Sequence, residues 1–325
     1  RTHNIMDKKQ PINTLKRDHV VNDIFAIKSK RTPIAYTKGW RFEALLGDAT
    51  GSIQLKFWGG PDENKVREIY ESMLEGGVIE LNARVSEFNG KLELAMTEDE
   101  AFRMLNESEY DPAQFIPVTT KDIETMWRQF KATIDSVKEP TLRLVLHDVF
   151  KDAAFVEKFK KAPAAMHTHH AWLGGLMEHT LDIVALCEQC CKAYLRINRD
   201  LVVAGALLHD LGKLDEYEVG TTIRTTPVGI LVGHLTLEVA AILRYKGRTG
   251  VDDNTLFKLA HMVISHHGSL EFGSPKIPAF PEALLLSYID ALDARMARMY
   301  GLMDEADPHS FETYDKKESR NIYLR

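Results

Sequence analysis

The hydrophobic period of this chain changes once, near residue 120. Before that point apolar and polar residues alternate in short runs, the period of two that sends successive side chains to opposite faces of a strand. Residues 20–27, 40–46, 52–58, 78–85 and 91–96 carry the pattern, and the turns Gly47-Asp48-Ala49-Thr50-Gly51 and Asn89-Gly90 join two pairs of them as hairpins. An amphipathic helix is predicted over about 62–74, between the third and fourth strands. Three strands, a helix and two more strands make a small five-stranded barrel. After the break, apolar residues recur at three- and four-residue intervals in 123–137, 142–150, 173–194, 201–211, 235–245, 256–264 and 283–299, so the C-terminal two thirds are predicted to be all-helical. The acidic stretch from about residue 98 to 121, with Pro112 and Pro117, reads as a linker, and the polar tail from Asp304 reads as partly disordered. The expected organisation is a multidomain α+β protein: barrel 1–105, linker 106–121, helical domain 122–303, tail 304–325.

Length and composition agree with two domains, since 325 residues with 44% hydrophobic and 27% charged residues suit two units of roughly 150 residues each. No stretch approaches the ~18–20 apolar residues of a membrane span, and Arg1-Thr2-His3-Asn4-Ile5-Met6-Asp7 lacks the apolar core of a signal peptide, so a soluble cytoplasmic protein is expected. The three cysteines, Cys187, Cys190 and Cys191, share one predicted helix and have no second pair to close a four-ligand zinc site, which leaves them as small buried hydrophobes. The net charge of −6 argues against a protein coated in cations, but it hides an asymmetry. Between Lys8 and Arg41 nine cations face only two anions, an excess that either meets phosphates or is a solvated face.

The strand order resembles that of the OB-fold nucleic-acid binders, which stack bases on aromatics of the second and third strands and follow the backbone with cations. The resemblance makes Trp40, Phe42, Phe57 and Trp58, with Lys28, Lys30, Arg31, Lys38 and Arg41, the candidate nucleic-acid contacts. Trp40 and Phe42 share a face while Phe57 and Trp58 point oppositely, so some of the four are core and not surface.

The chemistry lies in the helical part. His179, His209-Asp210, His234, His266-His267 and Asp290 follow one another mostly at intervals of one helix plus a loop, so a bundle of helices can aim them at one point. Imidazole and carboxylate together suit manganese, iron, cobalt, nickel or zinc better than magnesium or calcium. Seven groups exceed one tetrahedral shell, whereas two octahedral ions sharing a carboxylate would use them, with Asp210 able to span both. A metal pair lowers the pKa of a bound water from 15.7 towards ~7 and braces the attacking and leaving oxygens of a phosphoryl group.

This ordered set resembles the HD-domain phosphohydrolases, an all-α superfamily. The resemblance implies His179, His209, Asp210 and Asp290 around one ion and Asp210, His234, His266 and His267 around a second, with manganese the expected metal. Adjacent helical side chains diverge by about 100°, so His266 and His267 share an ion only at a helix end, which Gly268 suggests; otherwise one of them faces the substrate. The runs His169-His170-Ala171-Trp172-Leu173-Gly174-Gly175-Leu176-Met177-Glu178-His179-Thr180, Gly205-Ala206-Leu207-Leu208-His209-Asp210-Leu211-Gly212-Lys213 and Ser265-His266-His267-Gly268-Ser269 to Pro275 are similar to those of YhaM-type 3'-to-5' exoribonucleases. Barrel-before-helices order matches too, over about residues 20–300, with the first ten residues outside it as an extension.

That family implies hydrolysis of single-stranded RNA, with single-stranded DNA as a second substrate, to nucleoside 5'-monophosphates; the direction comes from the resemblance alone. Asp210, Lys213 and His170 are the expected catalytic group. Lys213 reaches a phosphate oxygen or is a surface lysine near a helix end. His170 and His169 position the phosphate or protonate the leaving oxygen, or else cap a helix. Asp293, one turn past Asp290, is placed to hold a ligand histidine by its other nitrogen. Ser269, Ser274 and Lys276 are weaker contacts to phosphate or sugar, His167 and His261 are structural, and a homo-oligomer would add binding surface. The rival readings are an HD phosphodiesterase for cyclic dinucleotides or nucleotides, against which the segment after His267 lacks Gly-Tyr-Pro, and a non-catalytic binder of single strands.

Overall fold

Alternation in the first half closes a barrel. In the computed structural model, which describes residues 5–166, 170–304, 306–307 and 309–324, burial alternates along β3 (Gly51–Trp58) and most of β2 (Gly39–Asp48), while in β1 (Val20–Tyr36) the run Asp23–Ile27 is buried on both faces. The 17-residue β1 serves two partners, pairing β2 along its second half and β4 (Val78–Phe88) along its first. Register shifts between Ile27 and Ser29 and between Arg31 and Ile34 mark bulges, which bend a strand enough to do this. β3 pairs β5 (Lys91–Thr97) in parallel and β5 returns to β4, giving the circuit β1-β2-β3-β5-β4-β1. Helix α1 (Glu63–Ser72), capped by the Asp62 side chain, stands between β3 and β4 and buries Val66 in the barrel core. This is the five-stranded OB architecture.

The acidic segment expected to be a linker is instead part of this unit. Phe102–Leu105 forms a sixth strand, β6, on β4, and Leu105, Tyr110 and Phe115 pack with Ile24, Ala26 and Val78 in a second small core. Its acidic residues have local work: the Glu109 carboxylate accepts from the Asn106 amide and pairs with Arg103, so polarity here reflects capping and not solvation. The N-terminal stretch, expected as an extension, is also pinned. Asp23 accepts the amides of Lys9 and Gln10, Asp48 accepts that of Ile12, and the Lys8 ammonium lies 3.1 Å from Asp23 and over the Phe25 ring.

The chain divides into two compact units, the first comprising residues up to Val118 together with Val219–Arg224. The second is helical: α2 (Ile123–Ser136), α3 (Pro140–Val149), α4 (Ala153–Lys161), α5 (Gly175–Ala193), α6 (Arg199–Leu208) and the single turn α7 (Lys213–Glu216). A short hairpin, β7 (Tyr217–Val219) and β8 (Ile223–Thr225), precedes α8 (Pro227–Leu231), α9 (His234–Leu243), α10 (Asp253–Ser265) and α11 (Pro281–Asp304). Side-chain N-caps start α2 (Asp122), α4 (Asp152), α6 (Asn198) and α10 (Asp252), each accepting an amide of the first turn. α5 and α6 are the central helices, with Leu176, Ile183, Val202 and Leu207 in one continuous core. The tail is not disordered among its described residues. Glu312–Asp315 (β9) and Arg320–Tyr323 (β10) pair as a hairpin that buries Ile322 and ties Asp315 to Arg298 of α11. No helix among the described residues is long and apolar enough to cross a membrane.

Asp23 joins the N-terminal stretch to the barrel through three groups, so Asp23→Ala should cost about 2–3 kcal/mol in urea unfolding, with the Lys9 and Gln10 amides exchanging at unprotected rates. An unchanged midpoint with protected amides would remove it from this role.

Candidate metal centre

Two helix ends build the centre in the same way. α6 stops at Leu208, His209 is its C-cap, and Asp210 follows in the turn; α10 stops at Ser265, His266 is its C-cap, and His267 follows. At each end the cap histidine turns its Nδ1 back to the carbonyl three residues earlier, His209 to Ala206 O at 2.8 Å and His266 to Val263 O at 2.7 Å. These carbonyls belong to the last turn, where no intrahelical amide serves them. A carbonyl only accepts, so Nδ1 carries the proton and Nε2 presents its lone pair. Because α10 ends before it, His267 can turn with His266 to one point, its Nδ1 held by Phe272 O at 3.0 Å. Gly268 makes the following turn at φ +83°, where a Cβ would lie 2.7 Å from Ser287 Oγ.

The remaining ligand histidines use carboxylates for the same purpose. His179, in the buried first half of α5, gives Nδ1 to Asp293 Oδ2 at 2.8 Å, and His234, the first residue of α9, gives Nδ1 to Glu216. All five imidazoles therefore direct Nε2 inward, and they do so around Asp210. On one side, His179 Nε2 lies 3.5 Å and His209 Nε2 3.4 Å from Asp210 Oδ2, and Asp290 Oδ1 is 3.3 Å from His179 Nε2. On the other, His234 Nε2 lies 3.7 Å and His266 Nε2 3.6 Å from Asp210 Oδ1, while His267 Nε2 is 3.3 Å from His234 Nε2. Gly212 allows this closeness, since a Cβ there would meet His234 O at 2.3 Å.

The residues fit divalent cations on an observation independent of any motif. Asp210 Oδ1 is buried without a hydrogen-bond donor, and the Nε2 atoms of His234 and His267 approach to 3.3 Å with lone pairs directed at one another. Facing lone pairs and an unserved carboxylate oxygen are unfavourable until a cation stands between them. The electrostatics agree. Burial works against charge on Asp210, yet Lys213 and His209 outweigh it and hold the carboxyl well below its usual range. Burial disfavours a proton on His179, but Asp210, Asp290 and Asp293 draw positive charge there and raise it well above the ordinary imidazole value. On the other side burial, with His266 and His234, pushes His267 down to about 4, so a neutral imidazole is presented at pH 7.

Lys213 is not a surface lysine: its side chain is 11% exposed and its Nζ lies 2.7 Å from Asp210 Oδ2. His170 is buried with Nε2 3.3 Å from Asp293 Oδ2, so Asp293 holds both His170 and His179. His169 and His167 lie outside the described residues, and His261 accepts the Ala279 amide, a structural task. Ser269 and Ser274 turn their hydroxyls inward in the loop that carries Phe272. Two groups were not singled out by sequence. Glu216 has no motif, only its place one turn past Lys213, and Glu178 accepts from Thr119 Oγ1 and Trp172 Nε1 to fix the start of α5 beside His179.

On the barrel the aromatic candidates separate. Phe42 and Phe57 are corrected to core: they stack on each other inside the barrel, ring centroids 4.7 Å apart, where no base can reach. Trp40 packs half-buried against the same core. Trp58 faces outward beside Tyr36 at 5.2 Å and Arg41 at 5.4 Å. Among the cations, Lys30 is occupied by Tyr70, its ammonium donating to the carbonyl and lying 4.0 Å over the ring, and Lys28 donates to Ser52 Oγ. Arg31 and Arg41 share Glu43, and Lys38 is exposed in the turn between β1 and β2.

A helical domain that brings five histidines and two aspartates together is a hydrolytic enzyme of the HD class, and the HD-domain family model matches residues 176–295. The chain is 30% identical over 281 residues to the 3'-5' exoribonuclease YhaM of Geobacillus sp. strain WCH70, covering 86% of this chain and 84% of that one. It is 29% identical to the YhaM of Bacillus velezensis, covering 93% and 94%. Among solved structures it is similar to an OB domain from Methanosarcina mazei, with TM-score 0.23, 16% identity, and 32% of this chain and 90% of that one covered. The chain belongs to the YhaM family of 3'-5' exoribonucleases.

Removing the acceptor behind His179 should weaken metal binding without removing a ligand: Asp293→Ala is expected to lower affinity 10–100-fold in competition with a fluorescent chelator, and an unchanged affinity would count against the role. Glu238, one turn past His234, offers a pH test in the metal-free protein. Burial first, then the charges of Asp210 and Asp215, raise its carboxyl to about 8. A raised acid pKa makes the folded state prefer the neutral form, so stability falls as pH rises from about 4.5, where the unfolded chain ionises, and levels off above about 8. Glu238→Gln should remove a loss on the order of 5 kcal/mol across that window in urea unfolding. Parallel pH profiles for the two proteins would refute it.

Proposed function

We propose that this protein hydrolyses single-stranded RNA from its 3' end, releasing nucleoside 5'-monophosphates, with two divalent ions held on opposite sides of Asp210. The observation that carries the reading is the division of labour in that carboxylate: Oδ2 faces His179 and His209, Oδ1 faces His234 and His266. His179, His209, Asp210 and Asp290 would hold one ion and Asp210, His234, His266 and His267 the other, manganese suiting the mixed nitrogen and oxygen donors. When bound, such ions supply Lewis acidity to a phosphoryl group and a nucleophile at neutral pH.

The chain's own residues do the rest. Lys213, fixed on Asp210 with its ammonium buried, adds positive charge where negative charge grows on the phosphate. As the bond from phosphorus to the 3' oxygen of the penultimate nucleotide breaks, that oxygen needs a proton. We assign that proton to His170, which is held by Asp293. On the barrel, Trp58 with Tyr36 and Arg41 offers a stacking surface flanked by Lys38 and Arg31, while Trp40 is reserved mainly for the core. Stacking is indifferent to base identity, so sequence preference should be slight and binding should weaken with salt. The 3' direction rests on the names of the relatives.

The test incubates 5'-labelled single-stranded RNA with the protein and Mn²⁺, beside Asp210→Ala and matched DNA, and resolves products by length. A ladder shortening from the 3' end, lost by at least ~10³-fold in the variant, is expected. Intact RNA across several divalent metals would sink the reading, and equal cleavage of DNA would broaden the substrate to single strands in general.

A further inference from the structure

The loop between α4 and α5 sets an aromatic ring beside the metal centre. His170, in that loop, adopts φ +55°, the left-handed region that a residue with a Cβ rarely enters. Such strain persists where the surroundings fix it, most often at working sites. Here the His170 carbonyl accepts the Ala164 amide at 3.0 Å, and Gly175 leaves room for it, since a Cβ there would lie 2.1 Å from the oxygen. Two residues on, the Trp172 ring lies 5.1 Å from the His170 ring, which is itself 5.4 Å from that of His179. Trp172 Nε1 donates to Glu178 Oε2 at 2.9 Å, and the buried carboxylate is held in turn by Thr119 and Lys121. Tryptophan ordinarily serves a core with its ring or a partner with its N–H. Trp172 is half-buried, packs in none of the hydrophobic cores of the described residues, and has its N–H already committed. What it has left to offer is the face of its ring.

We propose that Trp172 is the platform on which the base of the penultimate nucleotide stacks while the last linkage is cut. The proposal rests on the exonuclease reading, in which His170 protonates the 3' oxygen of that nucleotide. A nucleotide carries its base and its 3' oxygen on one ribose, so a proton donor for the oxygen and a stacking surface for the base must be neighbours. His170 and Trp172 are such neighbours, set by one loop and anchored separately, the first by Asp293 and the second by Glu178. The indole suits any base, because stacking uses only the π face. It cannot read base edges, because its one hydrogen-bonding group is taken. The platform therefore senses that a base is present and not which base it is. It grips the part of the strand that stays, not the nucleotide that leaves.

The test compares two RNAs labelled at the 5' end, one intact and one whose penultimate nucleotide lacks its base, as substrates of the full-length protein with Mn²⁺, and reads kcat/KM for the first cleavage. Wild type should cut the abasic RNA about 10-fold more slowly, the effect of one stacked base. Trp172→Ala should lose a similar factor on intact RNA and nothing further on the abasic one. Trp172→Phe keeps a ring without the N–H, and should restore most of the difference between the two substrates. Three results would each overturn the platform and leave the exonuclease reading standing: RNA shortened by wild type with no penalty for the missing base, an undiminished penalty in Trp172→Ala, or a Trp172→Phe protein that behaves as Trp172→Ala does. Wild type that leaves intact RNA uncut overturns both. Should Trp172→Ala loosen the start of α5, seen as weaker Mn²⁺ binding against a fluorescent chelator, the two substrates with wild type and Trp172→Phe decide the matter.

Discussion

The carboxylate of Asp210 is the constraint on which the helical domain's arrangement turns. It is 2% exposed, negatively charged, and has one oxygen with no donor of its own. A buried charge of this kind is stable only where positive charge is concentrated around it. Lys213 and His179 supply that charge, and four helices that end or begin within reach bring further imidazoles to the same carboxylate. The cost of burying one acid is met by converging elements that have no other reason to point at one place.

Helix termini are what make the convergence possible. A helix interior spaces neighbouring side chains by about 100°, so adjacent ligands cannot share a target. At the ends of α6 and α10 the chain leaves helical geometry just as the ligands appear, and the carbonyls left over from the last turn become the anchors for His209 and His266. Helix C-termini also carry partial negative charge, which favours cations at the same point.

Much of this was legible before any coordinates. The change from a period of two to a period near 3.6 separates barrel from bundle, and the ordered histidines and aspartates mark the centre because their residue types leave few other uses for such a set. What sequence concealed has a common cause. Phe42 and Phe57 alternate in step with their neighbours whether their face is inside or outside, and closure of the barrel decides it. The segment containing Leu105, Tyr110 and Phe115 buries residues too widely spaced to show a period. Glu216 and Glu178 act through a partner, so nothing about their own surroundings in the chain marks them. The tail hairpin is held in part by the ion pair of Arg298 with Asp315 and by buried Ile322, contacts distant from any local pattern.

The way the imidazoles are tethered limits how this centre can vary. His209, His266 and His267 are held by main-chain oxygens, which no replacement of a side chain can delete. Only His179 and His234 lean on side chains, Asp293 and Glu216. Inheritance can therefore adjust the donor strength of the centre at two addressable positions, one on each side of Asp210, while the other three orientations are passed on with the backbone itself.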